Sequence, residues 1–250
     1  MSMPQVSVVI PTYCDPQHTL EAIASVRAQD MADWEAIIVD DGSDAASRSN
    51  LSAKISALCD PRLRYVPSSR NRGPARARNL GIRLARGRFL AFLDADDLWH
   101  PEKLRLQRSA MQEVGLGLSC TAYENVDLQT GHRTVRVPPS RITYNRLLYR
   151  NTIGCSTVMI DRMRIPRSYF PEIDMRQDFA HWLAILKHGE MALGLTTPLT
   201  QRRQFPTSLS ANKHQAARYT WRMYRDIEGF GYLRAGWYFM GYALSSVLAR

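Results

Sequence analysis

Two aspartates one residue apart, Asp94 and Asp96, close the apolar run Phe89-Leu90-Ala91-Phe92-Leu93. In an extended strand alternate side chains share a face, so the spacing predicts both carboxylates on one side. Two carboxylates held together repel, which raises a pKa unless a cation neutralises them. Mg²⁺ or Mn²⁺ suits that role, because it takes hard oxygen ligands and leaves positions for phosphate oxygens. The ordinary alternative is that Asp96 or Asp97 caps a helix starting near Pro101. A second cluster, Asp40-Asp41-Gly42-Ser43, closes another apolar run. It reads either as a turn of turn-forming residues or as carboxylates that recognise a base or ribose at a sheet edge. Tyr13, following Thr12 after the first apolar run, has a ring that can stack on a base, or else is a half-buried loop aromatic. Arg202 and Arg203 read either as bidentate partners of a diphosphate or as solvated loop arginines. Asp178, ahead of the helical pattern Phe179-Ala180-His181-Trp182-Leu183, reads by itself as an N-cap. The six histidines are dispersed, and His181 reads as structural.

The stretches between these clusters alternate short apolar runs with helical periods. Residues 6–10 read as a buried strand stopped by Pro11, 34–39 as a second, 63–66 as a third and 89–93 as a fourth. Leu20, Ile23, Ala24 and Val26 set a helical period, Asp44 caps a helix through Leu58, and Asn71-Arg72-Gly73-Pro74 opens another. That alternation predicts an α/β fold, a mostly parallel sheet flanked by helices on both faces. Ligands of such sheets sit outside the carboxyl ends of the strands. Three of the four strand ends carry the polar residues above, so they converge on one crevice. After residue 110 the pattern changes to strands over 116–123, 132–137, 156–160 and 191–195, with helices over 142–149 and 179–186. From Asn212 the chain reads as helical in two pieces, broken near Gly229 and Gly231. No G-x-G-x-x-G or G-x-x-x-x-G-K-[ST] is present, which argues against dinucleotide and P-loop chemistry.

The chain has 250 residues, 45% of them hydrophobic and 22% charged, which excludes disorder, collagen and a coiled coil. Lys and Arg number 33 against 23 Asp and Glu, a net charge of +10 that points to a polyanionic partner. The charge is unevenly spread: residues 1–61 carry a net −6, 62–108 a net +8, 109–200 a net +2 and 201–250 a net +6. A single continuous nucleic-acid face is not what that distribution describes. The four cysteines are dispersed without a C-x-x-C pair, so neither a zinc site nor a disulfide framework is expected. No basic leader precedes the short apolar run at 6–10, and no stretch reaches the ~18 apolar residues of a spanning helix. A reduced, cytoplasmic protein is expected. The tail interleaves Arg218, Arg222, Arg225 and Arg234 with Tyr219, Trp221, Tyr224, Tyr232, Trp237, Tyr238 and Tyr242. That mixture suits a peripheral helix at an anionic membrane surface, or packing on the main domain or a second subunit.

The runs Val6-Ser7-Val8-Val9-Ile10-Pro11-Thr12-Tyr13, Val39-Asp40-Asp41-Gly42-Ser43, Gly73-Pro74-Ala75-Arg76-Ala77-Arg78-Asn79-Leu80-Gly81-Ile82 and Phe92-Leu93-Asp94-Ala95-Asp96-Asp97 resemble, in order, the motifs of family 2 glycosyltransferases of the GT-A fold. Residues 151–162, Gln177-Asp178-Phe179 and Ser208-Leu209-Ser210 resemble the acceptor half of members from bacterial surface-polysaccharide synthesis. The resemblance implies a GT-A domain over 1–212, with a nucleotide-sugar half over 1–110, an acceptor half over 111–212, and a helical tail over 213–250. It implies that Tyr13 stacks on uracil, that Asp41 with Asp40 beside it bonds the base, and that Arg78 meets the diphosphate. Asp94 would be the sugar-side or ribose carboxylate of a D-x-D motif and Asp96 the ligand of Mn²⁺ or Mg²⁺. Asp178 would be the catalytic base, with Glu172 or Asp174 as the nearest substitutes. Gln177 stands where the family usually has Glu.

The activity implied is inverting transfer from a nucleotide sugar, a UDP-sugar foremost, to a lipid-linked or polysaccharide acceptor at the inner face of the cell membrane. A sugar nucleotidyltransferase would instead need a Gly-rich phosphate loop after the first strand, where this chain has Pro11-Thr12-Tyr13-Cys14-Asp15. A nucleic-acid-binding protein would show a continuous basic face, and no nucleic-acid partner is expected. A non-catalytic glycan-binding protein would have little use for Asp94, Asp96 and Asp178 together.

Overall fold

Val and Ile favour strands, and the opening apolar run forms β1 (Val6–Thr12), almost wholly buried. α1 (Pro16–Arg27) follows, with the Asp15 carboxylate accepting the His18 N–H. β2 (Trp34–Asp40) leads into α2 (Ala45–Ala57), which Asp44 caps through the Ser47 N–H at 2.8 Å. β3 (Leu63–Pro67), α3 (Pro74–Leu84) and β4 (Phe89–Phe92) complete the first half. The second half comprises β5 (Leu98–Trp99), α4 (Lys103–Val114), β6 (Leu118–Asp127), β7 (Arg133–Arg136), β8 (Arg141–Ile142) and α5 (Tyr144–Tyr149). A 3-10 turn (Cys155–Thr157), β9 (Val158–Asp161), α6 (Gln177–Leu186) and β10 (Ala192–Gln204) follow. α7 (Lys213–Arg222), a π-helical turn (Met223–Ile227) and α8 (Tyr232–Leu248) end the chain. The computed structural model describes residues 3–166, 169–173, 175–205 and 213–248.

All ten strands join one sheet, with the path β3-β2-β1-β4-β9-β6-β10-β5 and with β7 on β6 and β8 on β10. The strands β3, β2, β1 and β4 are mutually parallel, as are β6 and β10. β9 runs antiparallel between β4 and β6 and joins the two parallel sets. The sheet therefore crosses residue 110 without a break. One face is covered by α3, α6 and the tail, the other by α1, α2 and α4, and each holds an apolar cluster. Met223, Tyr224, Phe230 and Ala235 of the tail belong to the first cluster, so the tail packs on the sheet domain.

Two expectations about strands need correction. Pro11 does not stop β1: β4 pairs with β1 only as far as Val9, so Pro11 lies where β2 is the sole neighbour and no second partner seeks its missing N–H. β10 runs well past Leu195, because Pro198 falls at a register shift against β6, where a ladder tolerates proline. The two-residue strands β5 and β8 carry too little pattern to be read from sequence.

α3 lies close on β1. A Cβ at Gly81 would sit 2.4 Å from Val9 Cγ1, so only glycine allows that approach. Gly81→Ala should therefore overpack the helix against the sheet and destabilise the fold by about 1–3 kcal/mol. A denaturant titration should show a lower midpoint at unchanged slope, and an unchanged midpoint would contradict the packing.

Candidate active site

β2 ends on Asp40, whose carboxylate is spent inside the turn. Its Oδ1 accepts the Ser43 N–H at 2.8 Å and its Oδ2 accepts the Tyr65 hydroxyl at 2.5 Å. Asp41 reaches the next loop, accepting the Arg72 N–H at 3.0 Å and the Gly73 N–H at 2.7 Å. Burial nevertheless pushes its pKa up. Gly42 (φ +80°) lies under that loop, and a Cβ there would meet the Arg70 carbonyl carbon at 2.2 Å. Thr12 turns its hydroxyl to Thr19 of α1 at 2.6 Å, while its carbonyl accepts the Asp41 N–H at 2.8 Å. Tyr13 follows with its side chain 53% exposed, and the Cys14 N–H donates to Ser43 Oγ at 2.8 Å. The rim at this end is thus an exposed aromatic ring beside a half-used carboxylate.

β4 stops at Phe92, and Asp94-Ala95-Asp96-Asp97 is a turn, with the Asp97 N–H bonded to the Asp94 carbonyl at 3.0 Å. Strand parity does not bring Asp94 and Asp96 together, then; the turn does. Ser156 holds it, accepting the Asp94 N–H at 3.1 Å and donating to Asp97 Oδ2 at 2.5 Å. Asp97 Oδ1 also accepts the Arg203 N–H at 3.3 Å. Neither Asp96 nor Asp97 caps α4, whose N-cap is Glu102. Burial pushes Asp97 up to about 7, against the opposing pull of Arg202.

Arg78, on the buried side of α3, places Nη2 2.5 Å from Asp94 Oδ1 and lies 5.3 Å from the centre of the Phe170 ring. Burial opposes its charge, but Cys155, Asp94 and Asp178 outweigh that and push its pKa up. The guanidinium is buried while Asp94 keeps 30% of its side chain exposed, so the pair bridges the interior and the crevice. Asp96 differs from its neighbours. Its carbonyl accepts Arg203 Nε–H, but among the described residues no side chain donates to its carboxylate. Burial and the charge of Asp94 push its pKa up, with Arg202 and Arg203 pulling against them.

On the facing side Arg176 (φ +65°) leads into α6, and Asp178 occupies the first turn with Oδ1 accepting the Phe179 N–H at 2.8 Å. The field of Asp178 reaches both Arg78 and Cys155, which places it beside the Asp94 pair. Gln177 is buried, so the glutamate usual there would bring one more charge into an already acidic cluster. Glu172 is drawn off to the surface by Arg76, with Nε 2.7 Å and Nη2 2.6 Å away, and Asp174 lies outside the described residues. His181 Nδ1 lies 2.7 Å from the Tyr169 carbonyl, the ring stacks on Phe170, and burial pushes its pKa down to about 4, so it is neutral and structural.

Arg203 ties three elements, donating to Glu21 on α1, to the Asp96 carbonyl, and through its backbone to Asp97. Arg202 keeps its guanidinium 5.2 Å from the Tyr123 ring centre and its Nε 4.0 Å from Asp97 Oδ2. Ser208-Leu209-Ser210 lie outside the described residues. Ser156, Tyr65 and Glu21, which position these groups, were not singled out in the sequence. Their partners are 59, 25 and 182 residues away, and no local pattern announces such pairings.

Among the described residues no group of three or more His, Cys, Asp or Glu side chains forms a cation cage. Asp96 fits a different arrangement: one undercompensated carboxylate, with the remaining positions of a Mg²⁺ or Mn²⁺ filled by a ligand's phosphate oxygens.

The family model described as "Glycosyl transferase family 2" matches residues 7–166. The chain is 38% identical over 250 residues to TuaG of Bacillus subtilis (strain 168), named for teichuronic acid biosynthesis, covering 99% of this chain and 98% of that one. It is 34% identical over 226 residues to WfgD of Escherichia coli, a UDP-Glc:alpha-D-GlcNAc-diphosphoundecaprenol beta-1,3-glucosyltransferase, covering 89% and 86%. Among solved structures, S. aureus TarS 1-349 with UDP-GlcNAc superposes with a TM-score of 0.70 at 18% identity, covering 96% of this chain and 71% of that one. The mannosyltransferase PcManGT of Pyrobaculum calidifontis, with GDP-Man and Mn²⁺, gives 0.68 at 19%, covering 100% and 76%. At those identities the likeness speaks for the fold alone.

Asp97 sets a pH dependence whose sign follows from its raised pKa. In the folded chain it binds its proton up to about pH 7, and unfolded only up to the ordinary 3.8. The folded state then holds more protons across that window, so Asp97 costs stability as pH rises through it. Asp97→Asn keeps an acceptor for Ser156, and its melting temperature relative to wild type should climb from about pH 4 to about pH 7. A difference that stays flat across the window would contradict the raised pKa.

Proposed function

The chain belongs to glycosyl transferase family 2 and has the GT-A fold, and from that footing we propose that it is an inverting, divalent-cation-dependent transferase moving a sugar from a UDP-sugar to a lipid-linked acceptor in surface-glycan synthesis. The observation that carries this reading is how the acids of the crevice are partnered. Asp40, Asp41, Asp94 and Asp97 are each held by a donor 16 or more residues away in the chain, while among the described residues no side chain donates to the Asp96 carboxylate and Asp178 accepts only the N–H of the next residue, Phe179. An inverting transfer uses two such groups, one on the leaving-group side and one for the acceptor's proton.

In this reading the Tyr13 ring stacks on the base. Asp41 keeps acceptor capacity beyond the loop N–H groups it already takes, enough for a base N–H. Arg78 fixes the orientation of the Asp94 carboxylate, which faces the donor's sugar side. A bound Mg²⁺ or Mn²⁺ on Asp96 would neutralise the charge building on the departing nucleoside diphosphate. Asp178 takes the proton of the acceptor hydroxyl as the new C–O bond forms and the bond to the diphosphate breaks. Displacement from the face opposite the leaving group inverts the anomeric centre.

Relatives support the finer choices. The name of WfgD specifies UDP-Glc as donor and a diphosphoundecaprenol-linked acceptor, and the PcManGT complex holds Mn²⁺. Such an acceptor would place the enzyme at the cytoplasmic face of the membrane.

Titration calorimetry with UDP should show Mn²⁺-dependent binding that Asp96→Ala weakens by at least about tenfold. Asp178→Asn should bind UDP as wild type does yet lose about 10²–10⁴ in transfer rate. UDP affinity indifferent both to Mn²⁺ and to Asp96→Ala would overturn the site.

A further inference from the structure

α8 is predominantly apolar: across residues 232–248 the one charged side chain is Arg234. Ala235, Tyr238, Phe239 and Tyr242 pack on the core. On the opposite side, at about 100° per residue, Leu233, Trp237, Met240 and Leu244 share an arc of about 60°. They are 93%, 62%, 57% and 65% exposed. A helix this apolar is normally covered on every side, and this one is covered on half.

Tyr149 of α5 extends the patch. Its hydroxyl accepts Trp237 Nε1–H at 2.7 Å, and Gly241 admits its ring, since a Cβ there would lie 2.4 Å from Tyr149 Cδ1. The rim is basic. Arg225 lies 3.8 Å from the centre of the exposed Tyr232 ring, Arg234 4.1 Å from that of Phe230, and Arg146 and Arg150 flank Tyr149 in sequence, both exposed. The nearby acids are compensated: Glu228 is bonded by Lys187 Nζ at 2.9 Å and by Tyr144, and Asp226 lies 3.5 Å from Arg222.

We infer that this face docks on an anionic lipid bilayer, with α8 lying in the plane of the headgroup boundary and the arginines on lipid phosphates. The charge complementarity and the interfacial Trp and Tyr favour lipid over a second copy of the chain, whose own rim would be equally basic. None of the described helices is long and apolar enough to cross a membrane, so α8 lies on the bilayer. The inference rests on the reading of a lipid-linked acceptor and adds which face of the protein meets the membrane that carries it. Tyr242 of α8 stacks 6.2 Å from Phe179 and lies 5.7 Å from the Arg176 guanidinium, the two neighbours of Gln177 and Asp178. The docked helix thus braces, with its inner face, the turn that carries the proposed base, and one helix thickness separates that turn from the lipid surface.

Sedimentation of the full chain with phosphatidylcholine vesicles, with and without phosphatidylglycerol, tests this. Wild type should pellet with the anionic vesicles, weakly with neutral ones, and less as salt is raised. Leu233→Glu/Met240→Glu, which alters only exposed side chains, should lower partitioning at least about tenfold while leaving UDP affinity unchanged. Wild type that ignores anionic vesicles, or a variant that binds them as well as wild type, would overturn the inference. So would a lipid-free dimer that the same substitutions dissociate, since a second copy would then cover the face. UDP affinity is read without vesicles, so vesicle binding without UDP binding would sink the donor-site reading alone, and the reverse would sink the docking face alone.

Discussion

Crowding of carboxylates at one end of the sheet governs how this molecule is built. Asp40, Asp41, Asp94, Asp96, Asp97 and Asp178 gather at or beside one end of the sheet, where burial and neighbouring carboxylates push the pKa values of Asp41, Asp96 and Asp97 up. The chain meets that cost group by group. A phenol and a backbone N–H satisfy Asp40, loop amides hold Asp41 while leaving it acceptor capacity, Arg78 pairs Asp94, and Asp97 takes a hydroxyl and a proton affinity near neutral pH. Asp96 is left with two arginines acting at a distance. That undercompensated carboxylate is the one the proposed function gives to the cation.

The sheet makes this arrangement possible. The parallel strands β2, β1 and β4 present their ends together, while the antiparallel β9 and the 3-10 turn before it carry Ser156 up to the Asp94–Asp97 turn. β10 brings Arg202 and Arg203 alongside from the far side of β6, and Arg203 reaches on to α1. The close seat of α3 at Gly81 lets Arg78 reach under β4. The tail, by packing on α5 and touching the start of α6 through Tyr242, joins the acceptor side of the site to the outer surface of the protein.

The parallel half of the fold was legible because its signals are local. Apolar runs of buried length, the Asp44 cap and the Gly73-Pro74 helix start each appear within a few residues, and β2, α2 and α3 formed where expected. Most of the candidate site residues stood out in the sequence because they sit in short motifs at strand ends, Arg78 and Asp178 in helices being the exceptions. What sequence concealed is what depends on long-range pairing. Whether Pro11 or Pro198 ends a strand is decided by where the neighbouring strand stops or shifts, which the local sequence does not contain. That Asp94 and Asp96 meet through a turn, and that Ser156 secures it, depends on contacts across about sixty residues, as the 62-residue separation of the Asp94–Ser156 bond shows. The exposed stripe on α8 was visible as composition but not as a face, because only packing reveals which half of a predominantly apolar helix is left uncovered.

The central claim is that Asp96 and Asp178 act from opposite sides of the transferred sugar's anomeric carbon in one displacement. The anomeric configuration of the product, read by NMR from the coupling of the transferred sugar's anomeric proton, tests it most directly. An α-linked donor should give a β-linked product with no α-linked product accumulating. An α-linked product would require two displacements or attack from the leaving-group side, and would contradict the roles given to both residues.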